Sequence, residues 1–226
     1  MNTAIIVAAG SGKRFDSATP KQFLELKGKP IIIRTLEKFQ ACDSIDAIVV
    51  VTRESDIKML GSLAADAGIS KLRSVVAGGG SRAESMRKGF AAVDPATTVV
   101  CVHDGVRPFV TVDEIDGTID AAVHFAAACL VALVTDTIKI VDYNKITGTI
   151  DRTTLRRALT PQAFRYGILS KALENAELSD AVTDECSLVE NTGVMITTVE
   201  GSPRNIKITH AEDMILAEAF LAEELR

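Results

Sequence analysis

The sequence predicts an α/β protein in which a mostly parallel sheet carries helices on both faces and one β-hairpin protrudes. Three observations predict it. Short apolar runs at 4–7, 47–51, 72–76, 99–102 and 129–134 alternate with helical stretches at 31–40, 55–67, 83–92 and 114–125, an order that builds a parallel sheet through helical crossovers. The first run, Ile5-Ile6-Val7, is too apolar for a surface strand and suits a sheet covered on both sides. After Val134 the alternation stops, and 137–142 and 148–152 flank a turn-prone Asn144-Lys145, the pattern of a hairpin.

The elements carry their own punctuation. Strand 4–7 runs into a small-residue loop, and Pro30 suits the first turn of helix 31–40. Capping boxes open later helices: Ser81 with Glu84, Thr111 with Glu114, and Thr209 with Glu212 each offer a hydroxyl and a carboxylate to orphan N–H groups. The longest apolar run, 125–134, is too short to span a membrane and reads as a core strand. The hairpin has no core partner of its own, so a dimerisation arm at about 137–156 is expected, with a plain surface excursion as the duller alternative. Lys207 interrupts an apolar strand just before the last capped helix, where a lysine either snorkels or points into a site.

Composition narrows the function. A chain of 226 residues, 47% hydrophobic and without Trp, suits one α/β domain spanning 1–226. The net charge of −5 argues against nucleic-acid binding. The cations that matter are therefore local. Cys42, Cys101, Cys129 and Cys186 have no metal-ligand or CxxC spacing, and no signal peptide precedes the first strand. A reduced, cytoplasmic protein with no membrane partner is the expectation.

Several loops carry chemistry. Ala8-Ala9-Gly10-Ser11-Gly12 offers bare backbone N–H groups to an anion, and Lys13, Arg14 and Lys21 add positive charge. It is not a Walker loop, because Arg14 follows Gly12-Lys13 and Val7 occupies the place of the first glycine. It is not a dinucleotide fingerprint either, since Phe15 replaces the third glycine and Pro20 interrupts the helix. Gly78-Gly79-Gly80-Ser81 leads into a helix N-terminus, which favours an anion or an acceptor-rich ring, or is simply a flexible turn and cap. His103-Asp104-Gly105-Val106-Arg107 follows another strand. There Asp104 suits a metal or a hydroxyl and Arg107 a phosphate, unless the two pair with each other. His103 reads as a packed neighbour of the loop, and His124 and His210 receive no role.

The segments AAGSGKRF…PKQF, GGGSRAES, VHDGVRPF, DTIK, DR…LTPQAF, TDE and EGSPRNIKIT cover nearly the whole chain in order. This set resembles the 2-C-methyl-D-erythritol 4-phosphate cytidylyltransferase family of the bacterial isoprenoid pathway. The ribitol-5-phosphate cytidylyltransferases share the first loop and the HDxVRPF segment; the stretch from Asp136 onward favours the methylerythritol family. The resemblance implies a Rossmann-like three-layer nucleotidyltransferase fold and transfer of CMP from CTP to methylerythritol phosphate, with release of pyrophosphate.

Residue roles follow from the same resemblance. Ala8, Ala9, Gly10, Ser11, Gly12 and Lys13 would wrap the CTP phosphates and part of the cytosine, with Gly105 among the nucleotide contacts. Gly79 and Ser85 would read the cytosine edge. Arg14 and Lys21 would stabilise the transition state, and Lys207 would face the α-phosphate. Asp104, Arg107 and Thr137 would hold methylerythritol phosphate, while Arg152 and Thr160 would reach from the arm into the neighbouring subunit of a homodimer. A Mg²⁺ ion is implied, held mainly by the CTP phosphates and not by a protein cage. Gly80, Thr135 and Arg204 depart from the family pattern and bear on substrate-binding detail. Two rival readings remain, a polyol-phosphate cytidylyltransferase and a catalytically inactive nucleotide-binding subunit.

Overall fold

The structure, a computed structural model, describes residues 1–10, 19–174 and 184–224. Its centre is a seven-stranded sheet in the order β11-β7-β10-β6-β1-β4-β5. These strands are β1 (Asn2–Val7), β4 (Ala47–Thr52), β5 (Leu72–Ala77), β6 (Val99–Asp104), β7 (Ala127–Leu133), β10 (Arg156–Arg165) and β11 (Thr197–Glu200). Every neighbouring pair is parallel except those made by β10, which runs antiparallel to both β6 and β7. Two small hairpins stand apart, β2 (Glu25–Leu26) with β3 (Lys29–Pro30) and β8 (Ile138–Asp142) with β9 (Lys145–Ile150).

The helices are α1 (Ile31–Ala41), α2 (Ile57–Asp66), α3 (Arg82–Ala91), α4 (Val112–Phe125), α5 (Tyr166–Glu174), α6 (Glu185–Glu190) and α7 (Ala211–Glu224). Period-two alternation sends successive strand residues to opposite faces. Ala4, Ile6, Ile48 and Val50 join α1, α2 and α4 in one core, while Ile5, Val49 and Val51 meet α3, α5 and α6 in the other. The three-layer expectation therefore stands, and with it each of the five strand runs and four helices read from the sequence. Among the described residues no helix is long and apolar enough to cross a membrane.

Local details correct the reading. Residues 197–200 and the whole of β10 form strands that the sequence did not announce, because Pro161 argues against a central strand. The ladder accommodates Pro161 at a register shift between Ala158 and Gln162. The hairpin turns at Tyr143 and Asn144, both with positive φ (43° and 63°), one residue earlier than expected. Pro30 caps α1 from outside, and Phe125 belongs to α4. Of the three capping boxes only Thr111 with Glu114 is complete. Glu84 instead accepts the Gly80 N–H, and α7 is opened by Asp213, whose Oδ2 accepts from the N–H groups of Thr209 and His210.

The site is placed by the sheet. Val7 lies beside Val51 and Asp104, and Thr52 beside Ala77, so β1, β4, β5 and β6 end at one edge. A parallel sheet binds ligands outside those carboxyl ends.

Candidate active site

A cavity of about 510 Å³ opens at that edge, and Ala8, Ala9 and Gly10 form part of its wall. The Ala8 N–H donates to the Val51 carbonyl, and the Ala8 carbonyl accepts from Gln22 Nε2 at 2.9 Å. The turn Lys21–Phe23 is thereby tied to the first loop, which brings Lys21 into the cavity with its Nζ 3.1 Å from the Ile208 carbonyl. Ser11, Gly12, Lys13 and Arg14, expected in the same wall, lie outside the described residues, as does Thr183.

The glycine loop forms the opposite wall. The Gly78 N–H donates to the Thr52 carbonyl. A Cβ on Gly78 would stand 2.5 Å from that of Ala9, so only glycine lets the two loops meet. The Ser85 hydroxyl accepts the Gly79 N–H at 3.0 Å and donates to the Ser81 carbonyl at 2.8 Å. Ser85 thus fixes the loop's shape while Gly79 and Ser85 both border the cavity. Gly105 does not border it. Its Cα packs behind Ala8 and Ile32, where a Cβ would come within 3.0 Å of both side chains, so Gly105 supports the loop from below.

Asp104 is the electrostatic hub. Its Oδ2 lies 2.9 Å from Lys207 Nζ and 3.3 Å from Arg107 Nε, and its Oδ1 lies 3.4 Å from the Arg82 guanidinium. Burial raises the carboxyl's pKa, but the three cations outweigh it and hold Asp104 well below the usual range. Of the two roles open to Arg107, pairing is the one realised. It is nearly buried, bonded to Asp104 and to the Asn205 carbonyl at 2.8 Å. Burial lowers its pKa more than Asp104 restores it.

Lys207 lies in an extended segment outside any strand. It is anchored because Ile208 is fully buried and bonded to the Val106 carbonyl. From there Lys207 borders the cavity.

Arg82 and Glu185 were missed as functional partners. The Arg82 guanidinium holds both carboxylate oxygens of the buried Glu185 and also reaches Asp104. Burial lowers the Arg82 pKa, but the two carboxylates outweigh it and raise it; burial raises that of Glu185 despite the arginine. The only sequence hint was an arginine inside a glycine-rich loop and an acid far downstream.

Thr160 is turned inward. Its hydroxyl accepts the Asp104 N–H at 3.1 Å and lies 3.0 Å from His103 Nδ1, so it props the hub instead of reaching toward another subunit. His103 is buried as expected. Burial drives its pKa down to about 3, and the neutral ring satisfies both contacts, Nε2–H donating to the Arg107 carbonyl and Nδ1 accepting from Thr160. Thr137 and Arg152 are exposed at the base of the hairpin, with Arg152 bonded to the Thr135 carbonyl, and neither borders this chain's cavity.

Residues 2–223 match the family described as 2-C-methyl-D-erythritol 4-phosphate cytidylyltransferase. The chain is 43% identical to the protein of that name from Geobacter metallireducens and 42% identical to one from Clostridium botulinum. Those alignments cover 98% and 97%, respectively, of each partner. The fold is similar to the crystal structure of 4-diphosphocytidyl-2C-methyl-D-erythritol synthase from Anaerococcus prevotii, with a TM-score of 0.86, 32% identity and coverage of 98% and 96%. It also resembles the Francisella tularensis 2-C-methyl-D-erythritol 4-phosphate cytidylyltransferase, with a TM-score of 0.80, 33% identity and coverage of 96% and 98%.

Proposed function

Because the chain belongs to the 2-C-methyl-D-erythritol 4-phosphate cytidylyltransferase family, we propose a specific division of labour for its cleft. The enzyme transfers CMP from CTP to methylerythritol phosphate in isoprenoid synthesis. A phosphate oxygen of the substrate attacks the α-phosphorus, a new P–O bond forms, and the bond to the β-phosphate breaks as pyrophosphate leaves with its electron pair. Two polyanions must meet, so repulsion is the main obstacle and preorganised cations are the main remedy. The phosphate monoester is already largely ionised at neutral pH and needs no base. Asp104, held ionised among three cations, is unsuited to act as one.

The observation that carries this reading is the convergence of Lys21, Lys207 and the bare backbone of Ala8 to Gly10 on one cavity. Ala8 to Gly10, continuing through Ser11, Gly12 and Lys13, would hold the triphosphate, and Gly79 with Ser85 would meet the cytosine. Lys21 and Arg14 would take the charge that develops in the transition state. Lys207, oriented by Asp104, would sit between the α-phosphate and the incoming phosphate. Arg82 and Thr160 act as positioning residues for Asp104.

A divalent cation such as Mg²⁺ would accompany CTP on its phosphate oxygens. The described cleft does not fit a protein-held ion, since Asp104 is already shared by Lys207, Arg107 and Arg82.

The hairpin is proposed as a dimer contact. Its Ile140, Val141, Tyr143 and Ile146 are 49–92% exposed, an apolar surface that a second copy would cover. Thr137 and Arg152 would then serve the partner's methylerythritol phosphate. The deciding experiment incubates the protein with CTP, a magnesium salt and methylerythritol phosphate, and follows the products by phosphorus NMR. Pyrophosphate with the cytidyl diphosphate alcohol is expected; turnover of ribitol 5-phosphate alone would overturn the assignment.

A further inference from the structure

Among the described residues, Arg53 is the one cavity-lining arginine that the reaction above does not use. It follows β4 directly, and β4 is the strand whose last two carbonyls hold the flanking loops: Val51 accepts from Ala8, and Thr52 from Gly78. Arg53 therefore emerges between the first loop and the glycine loop, in the wall that both loops share. It is also fixed in place. Its Nε donates to Asp56 Oδ2 at 2.7 Å and its Nη2 to Oδ1 at 3.2 Å.

Asp56 is the partner. It ends the 3₁₀ turn Glu54–Asp56, which runs directly into α2, and its side chain accepts no helix N–H. Its carboxylate is 9% exposed and accepts from Arg53 and from the Ser55 hydroxyl at 2.9 Å. A buried acid that clamps an arginine at a cavity wall is a preorganising support. The Nη1 edge of Arg53 has no hydrogen-bond partner among the described residues and remains available for a ligand.

We propose that Arg53 is a further nucleotide-binding residue, donating hydrogen bonds to the uncharged oxygens of the cytidine end of CTP, with Asp56 as its positioning residue. The chemistry favours the nucleoside over the triphosphate, because Asp56 balances the guanidinium's charge within an ion pair of no net charge, which weakens its pull on a polyanion and leaves its free N–H groups as donors. Such a donor suits a pyrimidine carbonyl or a ribose hydroxyl, whereas phosphates draw on Lys21 and the first loop. The proposal rests on the cytidylyltransferase reading for the orientation of CTP.

The test compares the wild-type enzyme with Arg53→Ala and Asp56→Asn, each first checked for an unchanged thermal midpoint. CTP and methylerythritol phosphate are varied separately, and CMP and pyrophosphate are used as inhibitors. For Arg53→Ala the KM for CTP and the inhibition constant for CMP should both rise about tenfold, as expected for one lost hydrogen bond. The KM for methylerythritol phosphate and the inhibition constant for pyrophosphate should move less than twofold. Asp56→Asn should give the same pattern, smaller. If dCTP feels the Arg53→Ala change less than CTP does, the acceptor is the 2′-hydroxyl; an equal change points to the base or another ribose oxygen. An unchanged CTP constant, or a pyrophosphate constant that rises with it, overturns the proposal. Failure of the wild-type enzyme to turn over methylerythritol phosphate would instead overturn the functional reading, and equilibrium binding of CTP and CMP would still decide the role of Arg53.

Discussion

Lys21 illustrates how a single side chain can be read from both ends. The sequence offers it as a cation beyond a phosphate loop, and the fold delivers it by tying its turn to Ala8 through Gln22. Under the proposed division of labour its charge meets the departing pyrophosphate, so Lys21→Ala should lower kcat about 10²–10³-fold with little change in thermal midpoint. Pyrophosphate-release kinetics and a melting curve check it. His103 makes a prediction of the opposite kind, about stability alone. Its folded pKa of about 3 lies below its ordinary 6.5, so between these values the unfolded chain binds the proton and the folded chain does not. Stability should fall as pH drops through that window, by about 1.4 kcal/mol per pH unit. Unfolding free energies from urea titrations of the wild type and His103→Gln across pH 6.5 to 4 should differ in pH slope by that amount. Individual cations such as Lys207 were legible because a charge inside an apolar segment needs a reason. The pairing of Arg82 with Glu185 was not, since residues so far apart in the chain meet only because α3 and α6 cover the same face of the sheet.

Helix α3 shows the same contrast for whole elements. Its start was spelled out by Ser81, whose hydroxyl accepts the Glu84 N–H at 3.1 Å. Its seat on the sheet depends on Gly89, where a Cβ would come within 2.7 Å of both Val51 and Ile5. Gly89→Ala should therefore push α3 off β1 and β4 and cost about 1–3 kcal/mol, measured by denaturant unfolding. Because α3 carries Arg82 and Ser85, the KM for CTP should rise as well. Parallel strands and their helices were readable because a strand buried on both faces is a continuous apolar run. The tenth strand was not, because Pro161 speaks against a ladder locally and only the register shift beside it resolves the conflict. The start of α7 was misassigned by a residue, since Asp213 and Glu212 are equivalent in sequence and only geometry chooses between them.

For the molecule as a whole, the alternation of strands and helices pointed to a sheet covered on both faces, and the hairpin that leaves it was visible as a break in periodicity. What would cover the hairpin was not, because the strand pattern carries no record of a surface outside it. Charging its exposed face with Val141→Lys and Ile146→Lys should shift the protein toward monomer in analytical ultracentrifugation. If Arg152 serves the partner's site, the KM for methylerythritol phosphate should rise in the same variant while CTP binding is preserved.

The antiparallel strand β10 connects these two ends of the problem. It begins just beyond the hairpin at Arg156 and continues to Thr160 and Gln162, which hold the Asp104 N–H and the N–H groups that open α6. Its first residues have exposed side chains, yet their backbone is laddered to β7. The hairpin is thus mounted on a beam and not on a hinge. Amide hydrogen exchange should find the root at 156–158 protected with the core while the tip at 143–144 exchanges freely. A load applied at the tip would travel along that beam to the floor of the cleft.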